Sequence, residues 1–302
     1  MAQFCVCKAG LNNTGTECPS LQGITTKLIY VPIKANDGTF NSIETTDVLN
    51  DAFVTGKIND SDPSKRWYPS PYFDNVEDLA GDTVFETLNS GRNVFVRKGI
   101  RTFTGVHVEA DSIFLGKIEG NRCGRFGVYF IDEEGSLHGN ISSDGNSLLP
   151  VPVESDSFDA MLMKATDTTS QKVQITFQFL RTVKDSDLRT IPANEWIDVD
   201  LTSIEGLLDV NGEVTNPTTT TFTYTATLDY GYFNNPIKVQ GLLIGDFTLF
   251  NNTSSSLITI TSVNESSEGV YDFVIPAQTA SDELTLTPTL EGYSFTTETF
   301  TV

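Results

Sequence analysis

The sequence predicts a mainly β protein in two parts. The first is an N-terminal sheet domain, a β-sandwich or barrel-forming sheet with one flanking α-helix; the second is a C-terminal immunoglobulin-like β-sandwich. Three observations carry this. The 302 residues include 20 Phe and 9 Tyr, enough large apolar side chains for a real core, while threonine is frequent and Ala/Leu runs are scarce, which favours strands. Most apolar residues recur at a period of two, and the period switches clearly to a helical one only once, at Ala110, Phe114 and Ile118. Lysine and arginine almost vanish beyond residue 217, where only Lys238 remains. That shift places a domain boundary at 210–217, giving an arm over 1–25, a β domain over 26–210 and a sandwich over 217–302.

In chain order, residues 1–25 offer turn after turn (Ala9 to Gly15) and no strand period. Thr26 to Ile33 is apolar on both faces, the pattern of a strand buried on both sides. Ala35 to Thr39 turns it, and a short helix is expected around Thr46–Phe53. Residues 58–90 form the longest stretch without period, holding Trp67, Tyr68 and Tyr72 among three prolines. Such a loop is either a rigid contact loop or one folded back on its own sheet.

The stretch from Asn89 to Gly139 reads as one folding unit. Asn93 to Lys98 is a strand closed by Gly99, and Ile100 to Val108 is a second, with Phe103 and His107 on one face and Val106 on the other. Asp111 is the expected N-cap of the helix, and Gly120-Asn121 its left-handed stop. Phe126 to Ile131 is a fully apolar strand, turned by Asp132 to Gly135 into Ser136–Ile141. Loop follows to Asp156. Then Phe158–Lys164 and Gln171–Leu180 form a hairpin whose second strand alternates strictly: Val173, Ile175, Phe177 and Phe179 against Lys172, Gln174, Thr176 and Gln178. A terminal strand is expected through Ile197, Val199 and Leu201. Seven short strands separated by turn signals fill the last 90 or so residues, the spacing of a sandwich; the Cys–Trp–Cys core of antibody domains is absent.

The net charge of −21, from 19 basic and 40 acidic residues, argues against direct nucleic-acid binding, which needs basic patches to displace counterions. The N-terminus lacks the basic and apolar regions of a signal peptide, and no run is long enough to span a bilayer, so synthesis in a cytoplasm is expected. Cys5, Cys7 and Cys18, with Cys123 far away, do not have zinc-site spacing, and His107 and His138 are distant from them. Asp60/Asp62 and Asp185/Asp187 lack the frame of a calcium loop. Asp132-Glu133-Glu134 and Asp198/Asp200 could pose as glycosidase carboxylates, but nothing sets them across a cleft. No nucleophile, phosphate loop or cofactor signature appears, so neither an enzyme nor a cofactor is expected, and contact surfaces remain.

Ser90 to Phe103 resembles the pair of strands that precedes the helix in the major tail tube proteins of long-tailed bacteriophages. Cys5-Val6-Cys7, Gly10 to Gly15 and Cys18 are similar to the start of structural proteins in phages of Bacteroidetes-type hosts. The resemblance covers about residues 20–205, with the appended sandwich matching by architecture. It implies a virion protein, in hexameric rings stacked into a tube that conducts DNA without binding it specifically. Implied partners are further copies of the chain and the tail terminator, tape measure and distal tail proteins. Six subunits of four strands each would close a barrel roughly 35–50 Å across its backbone circle. Lys172, Gln174, Thr176 and Gln178 would then line the lumen, with an acid expected beside Lys172. Trp67, Tyr68 and Tyr72 in loop 58–90, and the arm 1–25, would bridge successive rings. Ala110, Phe114 and Ile118 would pack the flanking helix. The C-terminal domain would decorate the outside and meet host-surface glycans. The alternatives are a surface or capsid-decorating glycan-binding module and a neck or connector ring of the same virion.

Overall fold

The computed structural model describes residues 15, 22–108, 110–193 and 197–302. Cys5, Cys7, Cys18, Trp196 and nearly all of the arm lie outside them. The N-terminal part runs β1 (Thr25–Pro32), β2 (Ile43–Glu44), α1 (Asp51–Ile58), β3 (Tyr68–Pro69), β4 (Asp74–Ala80), β5 (Val84–Thr87), β6 (Asn93–Arg97), β7 (Arg101–His107), α2 (Ser112–Glu119), β8 (Phe126–Asp132), β9 (Leu137–Ile141), β10 (Ser147–Leu149), β11 (Val151–Pro152), β12 (Asp159–Met163), β13 (Lys172–Gln178) and β14 (Leu188–Ile191). The larger sheet has the order β2-β10-β9-β8-β1-β3, with β11 on β8 and β14 on β9. A second, four-stranded sheet has the order β12-β13-β7-β4.

These sheets explain the apolar runs. Phe126, Val128 and Phe130 of β8 face the four-stranded sheet, in a core with Leu28, Phe103, Phe158, Val173, Ile175 and Phe177. Tyr129 and Ile131 point the other way, into a core with Ile29, Leu49, Val54 of α1 and Trp67. The larger sheet is thus a central layer, so both faces of β1 and β8 must be apolar. Phenylalanines set the first core: Phe103 stacks on Phe177 with centroids 5.0 Å apart, and Phe158 on Phe177 at 6.0 Å.

Local expectations need correction at several points, and the loop expected from Ile141 to Asp156 contains β10 and β11. The helix expected at Thr46–Phe53 starts at Asp51, because Asp47 is used in a turn that accepts Glu44 N–H (2.9 Å) and Asn50 caps Phe53 N–H instead (2.9 Å). Gly120 is right-handed (φ −58°). The chain leaves α2 by tightened turns, Asn121 N–H to Ile118 O (3.0 Å) and Arg122 N–H to Glu119 O (3.1 Å), so no positive φ is needed. Loop 58–90 contains β3, β4 and β5. A bulge between Asp74 and Glu77, with Asn75 at φ 50°, breaks the period of β4 and hides it from pattern reading. Ile197 and Leu201 form no strand; they plug the second core as irregular chain, with Asp198 N–H bonded to Leu49 O.

The C-terminal part runs β15 (Leu208–Thr215), β16 (Thr221–Tyr232), β17 (Asn235–Lys238), β18 (Phe247–Asn251), β19 (Ser256–Ile258), β20 (Ser262–Ser267), β21 (Val270–Val274), β22 (Glu283–Pro288), β23 (Tyr293–Phe295) and β24 (Glu298–Thr301). One sheet has the order β20-β21-β16-β15-β23, with β17 on β16; the other is β19-β18-β22-β24. They enclose a separate core built on Phe222, Tyr224, Phe247, Leu249, Tyr271, Phe273, Leu284 and Leu286. The stretch 210–217, read from composition as a boundary, is mostly strand. Val210 is fully buried, and Gly212 leaves room for the Tyr224 ring where any Cβ would collide. The two parts meet at Lys117 of α2, which reaches Asp209 (2.6 Å) and Asp229 (3.1 Å) and lies over the Tyr230 ring.

Candidate assembly surfaces

The four-stranded sheet places the alternating residues of β13 as its sequence requires. Val173, Ile175 and Phe177 are fully buried, and Phe179, just past the strand, joins the same core. Lys172, Gln174 and Thr176 are half-buried and Gln178 is exposed, all on the opposite, open face. The register completes that face. Asp159, Thr176, Thr104 and Glu77 form one row across the four strands, with Thr104 and Thr176 hydroxyls hydrogen-bonded at 3.2 Å. Met161, Gln174, Val106 and Asp74 form the next. Thr104, Gln174 and Thr176 put hydroxyls and an amide in the middle beside buried Val106, and the margins mix the acids with exposed Met161 and Leu79.

Lys172 lies opposite Met163, and among the described residues it makes no ion pair; the expected acidic neighbour is not beside it. Pairing spends the partners on this face strand by strand, and the position facing Lys172 in register is a thioether.

Both margins of the sheet are open. β12 and β4 each have a neighbour on one side only. A strand end-on to solvent presents unpaired N–H and C=O groups and is a template for another chain. β4 and β7 run on, past a bend, into β5 and β6, which pair only with each other as a two-stranded ribbon. The bend is a close crossing: a Cβ on Gly99 would collide with the Gly81 carbonyl, so only glycine fits. The ribbon carries Phe85 and Phe95 face to edge (6.1 Å), both more than half exposed, with Val96 also in solvent.

The three aromatics of loop 58–90 separate. Trp67 is 3% exposed and packs on Phe53 and Tyr129, so it is core and cannot bridge rings. Tyr68 is partly exposed, its hydroxyl donating to Pro63 O (2.9 Å), and Tyr72 is exposed beneath Lys27 Nζ. Helix α2 packs through Ala110, Phe114 and Ile118 as its spacing requires, and Asp111 accepts Ile113 and Phe114 N–H (3.0 and 2.9 Å).

Both histidines are buried. His107 donates Nδ1–H to Tyr72 O (2.7 Å) between the rings of Phe73 and Phe114. Burial lowers its pKa to about 4, against weaker upward pulls from the Tyr72 carbonyl and Asp74, so it is neutral at pH 7. His138 links Asp132 (Nε2 to Oδ2, 2.9 Å) to Thr190 (Nδ1 to Oγ1, 2.8 Å). Sequence reading missed this line; the only signal was an Asp and a His six residues apart in one hairpin. An Asp–His–hydroxyl line can activate a nucleophile. Here the cavity beside His138 holds about 30 Å³, room for one water and no substrate. Asp132 also accepts N–H groups from Gly23 (3.3 Å), Glu134 (3.1 Å) and Ser136 (2.8 Å), which is the work of a turn anchor. Burial disfavours its charge, but the bonds from His138, Ser136 and Gly23 outweigh that and lower its pKa.

Among the described residues, no helix is long and apolar enough to cross a membrane. Cys123 is exposed and free. No protein family, curated protein or solved structure matches the chain.

Proposed function

We propose that this chain is the repeating subunit of a bacteriophage tail tube: a non-enzymatic virion protein, made in the host cytoplasm, whose six-membered rings stack into a conduit for DNA. The observation that carries the reading is the sheet β12-β13-β7-β4, whose strand β13 is greasy on its core face and dressed in amides and hydroxyls on the other, and whose margins are both unpaired. Joining β12 of one copy to β4 of the next continues the antiparallel ladder. Six copies then close a barrel roughly 35–50 Å across its backbone circle, wide enough for duplex DNA once side chains are subtracted. Lys172, Gln174, Thr176 and Gln178 would face the lumen, where Asp74 and Glu77 give a mildly repulsive lining that lets DNA slide; Asp159 on the same face is paired with Arg122 (2.6 Å). The β5–β6 ribbon and Tyr72 would meet the adjacent ring, and the tail terminator, tape measure and distal tail proteins would meet the ends.

Exposed aromatics favour one rival. The tip of the β16–β17 hairpin carries Tyr232, 80% exposed, and Phe233, wholly exposed, a surface suited to stacking on host-surface sugars. A decorating glycan-binding module would use that tip and leave the sheet margins single. Negative-stain images and size exclusion of the purified chain separate the two. Hollow rings or tubes are expected; a monomer or trimer with measurable glycan affinity would replace the tube reading with the rival, and closed rings that never stack would point to a connector.

A further inference from the structure

We propose that β12 of one copy joins β4 of a second copy at one register, which sets Met161 opposite Leu79 and gives Lys172 its counter-charge from Glu77 of the second copy. The choice of register is narrow. β4 is regular past its bulge, over Glu77–Ala80, and β12 is regular throughout. Asp159, Thr176, Thr104 and Glu77 share a row, so the outward backbone groups of Asp159 and Glu77 have the same phase. Successive side chains point to opposite faces, so the join slides only by two residues at a time. With no slide, Asp159 would oppose Glu77, acid against acid. A slide of two residues along β12 would set Asp159 against Leu79 and Met161 against Glu77. At four, Met161, 53% exposed, meets Leu79, 63% exposed, and each covers the other. Asp159 then meets Gly81, which has no side chain, and Ala160 meets Ala80. At six, Met161 faces Gly81 and stays in solvent.

Closure selects the same register. Phe179 N–H bonds Arg101 O (3.0 Å), so the core-face residues of β13 turn their backbone groups toward β7. That fixes the left-to-right order of the four strands seen from the core side. The right-handed twist of strands then carries Glu77 toward Met163 of the adjoining copy, away from Asp159. A slide of four residues across four strands is one residue per strand, the stagger of an eight-stranded barrel of shear eight, whose strands tilt about 36°. Slides of two or six would tilt them about 20° or about 47°, outside the usual range of roughly 35–45°. Lys172, opposite Met163, then has Glu77 of the second copy in its row. The gap is two strand spacings, about 9.6 Å, which the two long side chains span together on the lumen face. The pair neutralises a cation on which DNA would stick and leaves Asp74 to repel it. Two β4 margins would set acid against acid, and two β12 margins would leave Lys172 without an acid, so the contact is heterologous and closes by rotation. The inference deepens the ring reading and rests on it for the tilt.

The test uses the full chain. Leu79→Cys is combined with Asp159→Cys, Met161→Cys or Met163→Cys, so that each pair reads one register; Met161→Cys alone and the parent chain are controls. A directly opposed pair is close enough for a disulfide, and a pair displaced by two residues is not. After oxidation the Leu79–Met161 pair is expected to give a ladder of linked copies on a denaturing, non-reducing gel, at least tenfold stronger than either displaced pair. Lys172→Glu should raise the concentration needed for rings at least tenfold, and Glu77→Lys in the same chain should restore it. Matching thermal melts verify folding, and the cysteine readout stands without the charge variants. Stronger linking through a displaced pair, rings linked through none of the pairs, or rings from Lys172→Glu at the wild-type concentration would overturn the inference and leave rings standing. Dimers and nothing larger from Met161→Cys alone would overturn both, with β12 paired to β12. A Leu79–Met161 ladder without rings would keep the join and remove the ring reading. A wild type monomeric at every concentration overturns both.

Discussion

The sheet β12-β13-β7-β4 and the C-terminal sandwich use the same material, period-two strands over a phenylalanine core, and finish it differently. In the sandwich two of the four outermost strands are plainly poor templates. β19 has three residues, and β20 reads Ser-Val-Asn-Glu-Ser-Ser with a bulge between Glu265 and Ser267. In the N-terminal sheet the outer strand β12 reads Asp-Ala-Met-Leu-Met, regular and mostly apolar, with Met161 in solvent. Natural proteins blunt an edge that must stay single. The opposite margin, β4, is bulged between Asp74 and Glu77 and carries three acids, as β20 is bulged and polar, so the regular apolar edge of β12 is what sets the N-terminal sheet apart.

The largest expected effects test whether the two cores are independent. Phe177→Ala empties a site stacked on Phe103 and Phe158, and Phe273→Ala one stacked 4.5 Å from Phe222. Each should cost about 3–5 kcal/mol. Calorimetry should resolve two transitions, with each variant lowering only its own. If either variant drags both transitions down together, the chain has one cooperative unit and the contrast collapses.

Acid should separate the parts next. Both histidines lie in the N-terminal part. His107 refuses a proton in the folded state until about pH 4, whereas an unfolded histidine takes one near 6.5. Between those values protons favour unfolding, so stability is present above pH 6.5 and falls as pH drops to 4, by up to about 3 kcal/mol. The lowered pKa of Asp132 adds a loss only at more acid pH, below the ordinary carboxylate value. The N-terminal transition should fall over the upper window while the sandwich transition holds. Equal losses in both would show that His107 is not the cause.

Much of this contrast was legible in the sequence. The 3.6-residue spacing of Ala110, Phe114 and Ile118 and the Asp111 cap fix α2, because local hydrogen bonds and one apolar stripe decide a short helix. Alternation fixes β13 and its two faces for the same reason. What the sequence hid depends on distant partners. β4 looks like loop because a bulge breaks its period and its inward Asp78 is matched by Arg101 from another strand. Trp67 reads as a surface aromatic among prolines, yet packs on Tyr129, 62 residues along by number.

Smaller effects sharpen the picture at its joints. Asp111→Ala should cost the N-terminal transition about 1 kcal/mol by freeing two amide groups of α2, and an unchanged melt would mean water replaces the cap fully. Lys117→Met should cost at most about 1 kcal/mol, less in high salt, and should widen the gap between the two transitions. A salt-independent loss would assign Lys117 a packing role through Tyr230 instead.

The β5–β6 ribbon has one further consequence. Two strands alone are marginal in water, and this pair shows its phenylalanines to solvent instead of resting them on a core. If docking on a neighbour supplies the missing burial, the first encounter between free subunits is the uphill step and every later addition is downhill. Growth would then show a lag that a preformed end abolishes, and a cell could hold a pool of quiescent subunits until a tail tip offers the seed.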